Sequence, residues 1–324
     1  MTTESAPVAP SVAAIRDAAG RIRENVGRVI VGRGDVIDLA LVALLCGGHA
    51  LIEDVPGIGK TMMAKALARS IGCSFKRIQF TPDLMPSDIT GINFYNQKSG
   101  AFEFRAGPLL ANIVLADEIN RATPRTQSAL LEAMEERQIT VDGATMPLPA
   151  PFAVLATQNP IELEGTFPLP EAQLDRFLLR LRMGYPDERE EDAILQRFEA
   201  DNPLDALAPV VEAADLARMA AALPAVRCEA SVRGYITRIT RATRDHTAVE
   251  LGASPRATLA LFRAARALAA IRGRDYLLPD DVKQLAVPVL SHRIMLSSQS
   301  RLRGRDAESL VREVLDEQPV PVEG

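Results

Sequence analysis

Five short apolar runs, at 50–52, 75–80, 113–116, 152–156 and 177–181, recur along the first part of the chain with loops and helix-period stretches between them. Runs of this length are too short for helices and suit strands buried on both faces. Strands that alternate with helical stretches build a mainly parallel sheet. Two helices are expected ahead of the first run, over 13–29 and about 36–46. Beyond Tyr185-Pro186 the strand-like runs stop, and six helices are predicted at about 187–200, 212–222, 229–244, 255–271, 279–289 and 306–316. The expected architecture is an α/β core over 13–185 and an all-α domain over 186–317, with mobile tails at 1–12 and 318–324. A length of 324 residues suits this division, since a domain takes roughly 100–200 residues.

Composition removes several classes. Hydrophobic residues make up 47% and charged residues 24%, which is ordinary for a packed globular chain. The longest strictly apolar run, 39–46, falls well short of the ~20 residues that cross a bilayer as a helix. The N-terminus has no basic stretch followed by an apolar one, so a cytoplasmic location is expected. With 37 basic against 42 acidic side chains and a net charge of −5, non-specific binding to a nucleic-acid backbone is disfavoured. Cys46, Cys73 and Cys228 lie far apart with no metal-ligand spacing, so buried free thiols are expected. His49, His246 and His292 are equally isolated, and solvated or structural roles are expected for them.

Chemistry is concentrated at the ends of the strand-like runs. Glu53-Asp54-Val55-Pro56-Gly57-Ile58-Gly59-Lys60-Thr61 follows the first run and precedes a helical stretch. Strand, glycine-rich loop and helix N-terminus together cradle phosphate through backbone N–H groups. In that setting Lys60 reaches the β- and γ-phosphates and the Thr61 hydroxyl ligates Mg²⁺. The usual pattern has glycine where this chain has Asp54. Aspartate tolerates left-handed backbone conformations, so the turn remains feasible. The third run ends in Asp117-Glu118, a pair suited to a division of labour: Asp117 on Mg²⁺, Glu118 on the attacking water. The fourth run leads to Asn159, an amide that suits positioning a nucleophile; the Asn-Pro pair also reads as a simple turn.

Taken in order, VIVGR, EDVPGIGKT, NIVLADEINRATPRTQSALLEAMEERQ, ATQNP, LPEAQLDRF and SPRA resemble the MoxR group of AAA+ ATPases over about residues 13–300. The resemblance implies a P-loop parallel five-stranded sheet sandwiched by helices, then an all-α helical lid, with ATP and Mg²⁺ as cofactors. It places Pro56, Gly57, Ile58, Gly59, Lys60, Thr61 and Met62 on the nucleotide, Thr61 and Asp117 on the metal, and Glu118 and Asn159 in catalysis. Arg176 matches the arginine finger presented to a neighbouring subunit, and Arg256 the lid's sensor arginine. Val31 and Gly32 sit where the family contacts adenine. A homo-oligomeric ring, usually hexameric, is implied. So is a client protein whose complex is matured, remodelled or loaded with a metal cofactor, often with a von Willebrand factor A domain partner. A metal-chelatase-type or DNA-acting AAA+ motor subunit, and a nucleotide-gated scaffold with negligible turnover, are the alternatives.

Two hairpins are expected inside the core. One spans 91–104 and turns at Lys98-Ser99-Gly100; the other turns at Val141-Asp142-Gly143-Ala144. The first matches the family's helix-2 insert. Its Phe94, Tyr95, Phe102 and Phe104 are expected mainly to pack it onto its own domain, the alternative being a surface that grips a client. The arginines of 233–244 are expected to form a solvated face with nearby acids such as Glu229 and Asp245.

Overall fold

The computed structural model describes residues 11–159, 165–199 and 201–321. Helices α1 (Val12–Gly27) and α2 (Gly34–Leu45) precede β1 (Ala50–Glu53) and α3 (Lys60–Ser70). Then come β2 (Phe75–Gln79), α4 (Pro86–Thr90), the hairpin β3 (Gly91–Asn96) and β4 (Ala101–Ala106), and β5 (Ile113–Asp117). Next are α5 (Pro124–Glu136), the hairpin β6 (Gln138–Val141) and β7 (Ala144–Pro147), β8 (Ala153–Gln158), α6 (Glu171–Leu174) and β9 (Leu179–Leu181). The C-terminal part holds α7 (Glu188–Arg197), α8 (Ala213–Ala222), α9 (Ala230–Asp245), β10 (Val249–Leu251) and α10 (Pro255–Ile271), then α11 (Pro279–Leu290), β11 (Met295–Leu296), α12 (Ser298–Leu302) and α13 (Ala307–Glu317).

The five expected strands form one sheet in the order β2-β5-β8-β1-β9, every pair parallel. Side chains alternate between its faces as the pleat requires. Ala50, Ile52, Ile113, Leu115, Ala153 and Leu155 face one apolar cluster, and Leu51, Val114, Ala116, Val154 and Ala156 the other. The first cluster continues from α1, α2 and α3 into α8–α11 and α13, so the helical part rests on the core through a shared interior.

The register positions the chemistry. Glu53 lies opposite Gln158, and Gln79 opposite Asp117, so the C-terminal ends of β1, β8, β5 and β2 reach one edge of the sheet. Loops beyond that edge are where ligands bind in open parallel sheets.

Several sequence expectations need correction. Strands do not stop at residue 186: β10 and β11 form a small antiparallel pair. At three and two residues they are too short to leave an alternation pattern. Ser11 and Val12 belong to the first helix and not to a mobile tail, because the Ser11 hydroxyl accepts the Ala14 N–H at 3.3 Å as an N-cap. Residues 1–10 and 322–324 of the expected tails lie outside the described residues. Both hairpins form as expected, but the aromatics of the first are not packed away: Phe102 is 74% and Tyr95 54% exposed, and Phe94 and Phe104 are exposed as well. A two-stranded ribbon offers too little neighbouring surface to cover both faces. Tyr95 and Phe102 meet mainly each other, edge to face at 5.4 Å. The three thiols are free but half-buried. Burial pushes Cys46 up to about 12 and Cys73 up to about 11, so neither supplies a thiolate at neutral pH.

Candidate active site

Gly57 and Gly59 turn the chain between β1 and α3 at φ values of 87° and 90°, where a side chain is disfavoured. The turn leaves Lys60 and Thr61 as the first residues of α3. Asp54 is not in the left-handed region, so that position does not need the freedom of glycine. Its carboxylate accepts Val55 N–H at 3.0 Å, and Met183 and Gly184 N–H at 2.7 and 2.8 Å. Asp54 thereby ties the loop to the segment after β9.

Asp117 ends β5, and Glu118 leaves it at φ 56°, ψ 50°, a left-handed conformation that costs a non-glycine residue about 1 kcal/mol or more. The neighbouring strand fixes this corner. Thr157 Oγ1 accepts the Glu118 N–H at 2.8 Å and donates to Asp117 Oδ1 at 2.5 Å. From β2, Arg77 donates to Asp117 Oδ2 at 2.6 and 3.0 Å, and the Gln79 amide donates to Glu118 Oε2 at 2.7 Å. Arg121 also approaches Glu118, at 3.2 Å. Sequence reasoning missed Arg77, Gln79, Arg121 and Thr157; strand-end placement was the available signal for Gln79 and Thr157.

One cavity of about 250 Å³ is bounded by Pro56, Gly57, Gly59, Lys60, Thr61 and Met62 from the glycine loop and α3, and by Arg77, Asp117, Glu118 and Asn159 from the neighbouring strands. Lys60 Nζ donates to the Asp54 carbonyl at 2.8 Å. Burial holds its pKa below the ordinary lysine value against the opposing pull of Asp117, Asp54 and Glu118. No group of three or more His, Cys, Asp or Glu suited to a metal occurs among the described residues. The donors present, one hydroxyl and one carboxylate, fit Mg²⁺, which is held by one or two protein oxygens together with phosphate and water.

Ile58, Val31 and Gly32 do not reach this cavity. Ile58 packs against the core. Gly32, at φ 71°, faces Glu190 so closely that a Cβ would stand 1.7 Å from Glu190 Oε1. Arg33 pairs with the same carboxylate at 2.9 Å, which fastens the loop before α2 to α7.

Arg176 and Arg256 line a second cavity, of about 280 Å³, that shares no residue with the first. Arg176 donates to the Leu131 carbonyl, and Arg256 pairs with Glu135 at 2.6 Å. The segment carrying Arg176 is clamped from the helical part by Arg293. This buried guanidinium donates to Asp175 Oδ1 and to the Phe177 carbonyl, both at 2.6 Å, and to the Leu178 carbonyl at 2.9 Å. Sequence reasoning missed Arg293, since nothing local marks it among so many arginines.

A parallel β2-β5-β8-β1-β9 sheet with a glycine loop after β1, paired acids after β5 and a helical appendage defines an AAA+ ATPase. Residues 49–179 match the family model described as "ATPase family associated with various cellular activities (AAA)", and 241–314 match an AAA lid domain. The chain is 54% identical over 304 residues to YeaC of Bacillus subtilis, a protein without assigned function, covering 94% of this chain and 95% of that one. It is 43% identical over 306 residues to the chaperone MoxR1 of Mycobacterium tuberculosis, covering 92% and 81%. The crystal structure of a proposed ATPase from Cytophaga hutchinsonii superposes with a TM-score of 0.90 at 38% identity, covering 96% and 97%. The chain belongs to the MoxR family of AAA+ ATPases.

Proposed function

We propose that the chain hydrolyses ATP as a Mg²⁺-dependent oligomeric ring, usually hexameric in this family, and uses the cycle to remodel or mature a client protein complex. The observation that carries this reading is the convergence of Lys60, Thr61, Asp117, Glu118 and Asn159 on one cavity from three adjacent strand ends. Thr61 and Asp117 would hold the ion, which supplies charge neutralisation to the phosphates when bound. Lys60 moves from the Asp54 carbonyl to the phosphates. Glu118, held off by Gln79 and Arg121, turns to the attacking water and takes its proton, while Asn159 orients that water. Such positioning, with charge stabilisation, is most of what phosphoryl transfer needs from a protein.

Arg176 and Arg256 stand together away from the chain's own phosphate cavity, which supports their acting on a neighbouring subunit's nucleotide. A guanidinium supplied in trans makes hydrolysis depend on assembly. The chaperone MoxR1 relative supports a client-assisting role, in which metal-cofactor insertion and a von Willebrand factor A domain partner are the finer expectations. The deciding measurement is phosphate release against protein concentration: specific activity rises with assembly in the parent and is lost in Glu118→Gln, which retains ATP. Turnover by Glu118→Gln at the parental rate would sink the reading.

A further inference from the structure

The groove between α9 and α10, of about 400 Å³, combines a basic rim with an apolar floor. Arg233, Arg241 and Arg244 line it above Leu259 and Phe262, and Arg266 stacks on the Phe262 ring at 4.3 Å. Several arginines elsewhere meet carboxylates, as Arg180 does with Glu53 and Glu308 or Arg274 with Asp281. Among the described residues these groove arginines have no ion-pair partner. Arg233 and Arg244 instead donate to the carbonyls of Cys228 and Ala253. As expected of a solvated face, Arg233, Arg238, Arg241 and Arg244 are exposed, and none of them pairs with Glu229 or Asp245.

A surface of opposite character lies on α7. None of its residues is buried. Glu188, Glu191, Asp192 and Leu195 follow at spacings of three and four along one helical face, and the exposed Glu199 lies two residues beyond the end of the helix. Leu195 is 71% exposed, and Phe198 beside it 44%. Four acids around two apolar side chains complement three arginines around a leucine and a phenylalanine.

The two surfaces have different neighbours. Leu259 borders both the arginine groove and the cavity that holds Arg176 and Arg256. Helix α7 is fastened to the nucleotide side, through Glu190 to Arg33 and through the Asp54 contacts to Met183 and Gly184. A head-to-tail contact that carries Arg176 and Arg256 toward a neighbour's phosphates therefore brings the groove toward that neighbour's α7. Contacts of this heterologous kind generate rings when the rotation closes.

We propose that the arginine groove of one copy receives the acidic face of α7 from the next copy of this chain, so that the lids interlock around the ring. The proposal rests on the oligomeric ATPase reading above. Charge reversal on the groove (Arg241→Glu with Arg244→Glu) or on the helix (Glu191→Arg with Asp192→Arg) is expected to weaken self-association by about tenfold or more, as for desolvated interfacial charges. In a mixture of the two variants each helix again faces a groove of opposite sign, so mixing restores assembly and phosphate release. Mass by sedimentation with ATP present, and binding of a fluorescent ATP analogue, are the readouts. Analogue binding by each variant at parental affinity shows that both are folded and that the nucleotide site stands. With that control met, failure of the mixture to assemble overturns the docking alone. Self-association of the groove variant at parental strength also overturns it, and assigns the groove to some other acidic partner. A parental chain that stays monomeric with nucleotide bound overturns both the ring and the docking.

Discussion

The phosphate cavity lies beyond the C-terminal ends of β1, β5 and β8, whereas the arginine cavity is lined by residues that precede β1 and β9 and by the helices α5 and α10, and the two differ in completeness. The first gathers a lysine, a hydroxyl, two carboxylates and an amide around one space. The second holds Arg176 and Arg256 against Glu135, Asp175 and the Leu131 carbonyl, and offers no nucleotide-binding loop of its own. On the proposed reading the first cavity binds the reacting phosphates and the second supplies guanidinium groups to a neighbour, which would tie turnover to contact between subunits.

The largest expected effects fall on the first cavity. Lys60→Ala is expected to abolish ATP binding, measured by titration calorimetry, because no other ammonium lines that space. Glu118→Gln is expected to keep binding and lower phosphate release by about 10³-fold, within the range for loss of a general base. If both variants lose binding alike, the two residues do not have the separate roles assigned to them.

Arg176→Ala sharpens the contrast between the cavities. It is expected to leave ATP binding intact and to lower turnover by about 10³-fold. Mixing it with Lys60→Ala protomers should recover part of the activity, since some interfaces then pair an intact loop with an intact arginine. No recovery at any ratio means that Arg176 serves its own chain.

A smaller effect is expected at Arg293, which positions the Arg176 segment without touching nucleotide. Arg293→Lys should lower kcat by about tenfold, a displacement effect, with unchanged nucleotide affinity. Arg293→Leu, which also leaves Asp175 without its buried partner, should lose about 3 kcal/mol of stability in urea titrations. An equal loss of binding and turnover would make the role structural only.

The last effect concerns His49, which lines the second cavity. Its Nδ1 accepts the Val154 N–H at 2.9 Å, so the remaining ring proton sits on Nε2, which bonds the Met134 carbonyl at 3.1 Å. Burial pushes its pKa down to about 3 from the ordinary 6.5. A pKa lower in the folded than in the unfolded state gives stability that is present above 6.5 and lost as pH falls toward 3. The Tm should therefore drop more steeply below pH 6 in the parent than in His49→Gln. Parallel acid profiles would remove His49 from the account.

Much of the first cavity was legible because most of its residues stand at the end of a short apolar run or in the loop and helix start that follow it. Local order was enough to mark Lys60, Asp117 and Asn159 as neighbours once the runs were read as adjacent parallel strands. Arg77, midway along β2, and Arg121, in the turn after β5, escaped notice because an arginine at such a place has many uses. The left-handed turn allowed for at Asp54 does not form. The actual work of Asp54 is to accept three backbone N–H groups, two of them 129 and 130 positions along the chain, and no local pattern carries that information.

By itself the sequence determined the five strands of the core sheet and its two hairpins, how they alternate with helices and which side chains crowd their ends, because periodicity and turn chemistry act over a few residues. Only the tertiary structure decided that Arg256 joins Arg176 and Glu135 apart from the phosphate loop, that Arg293 clamps a segment about 115 residues before it, and that aromatics on the insert stay exposed. Those outcomes depend on which surfaces meet when the lid helices close over the interior they share with α1 and α2, and contacts across such separations leave no periodic trace in the chain.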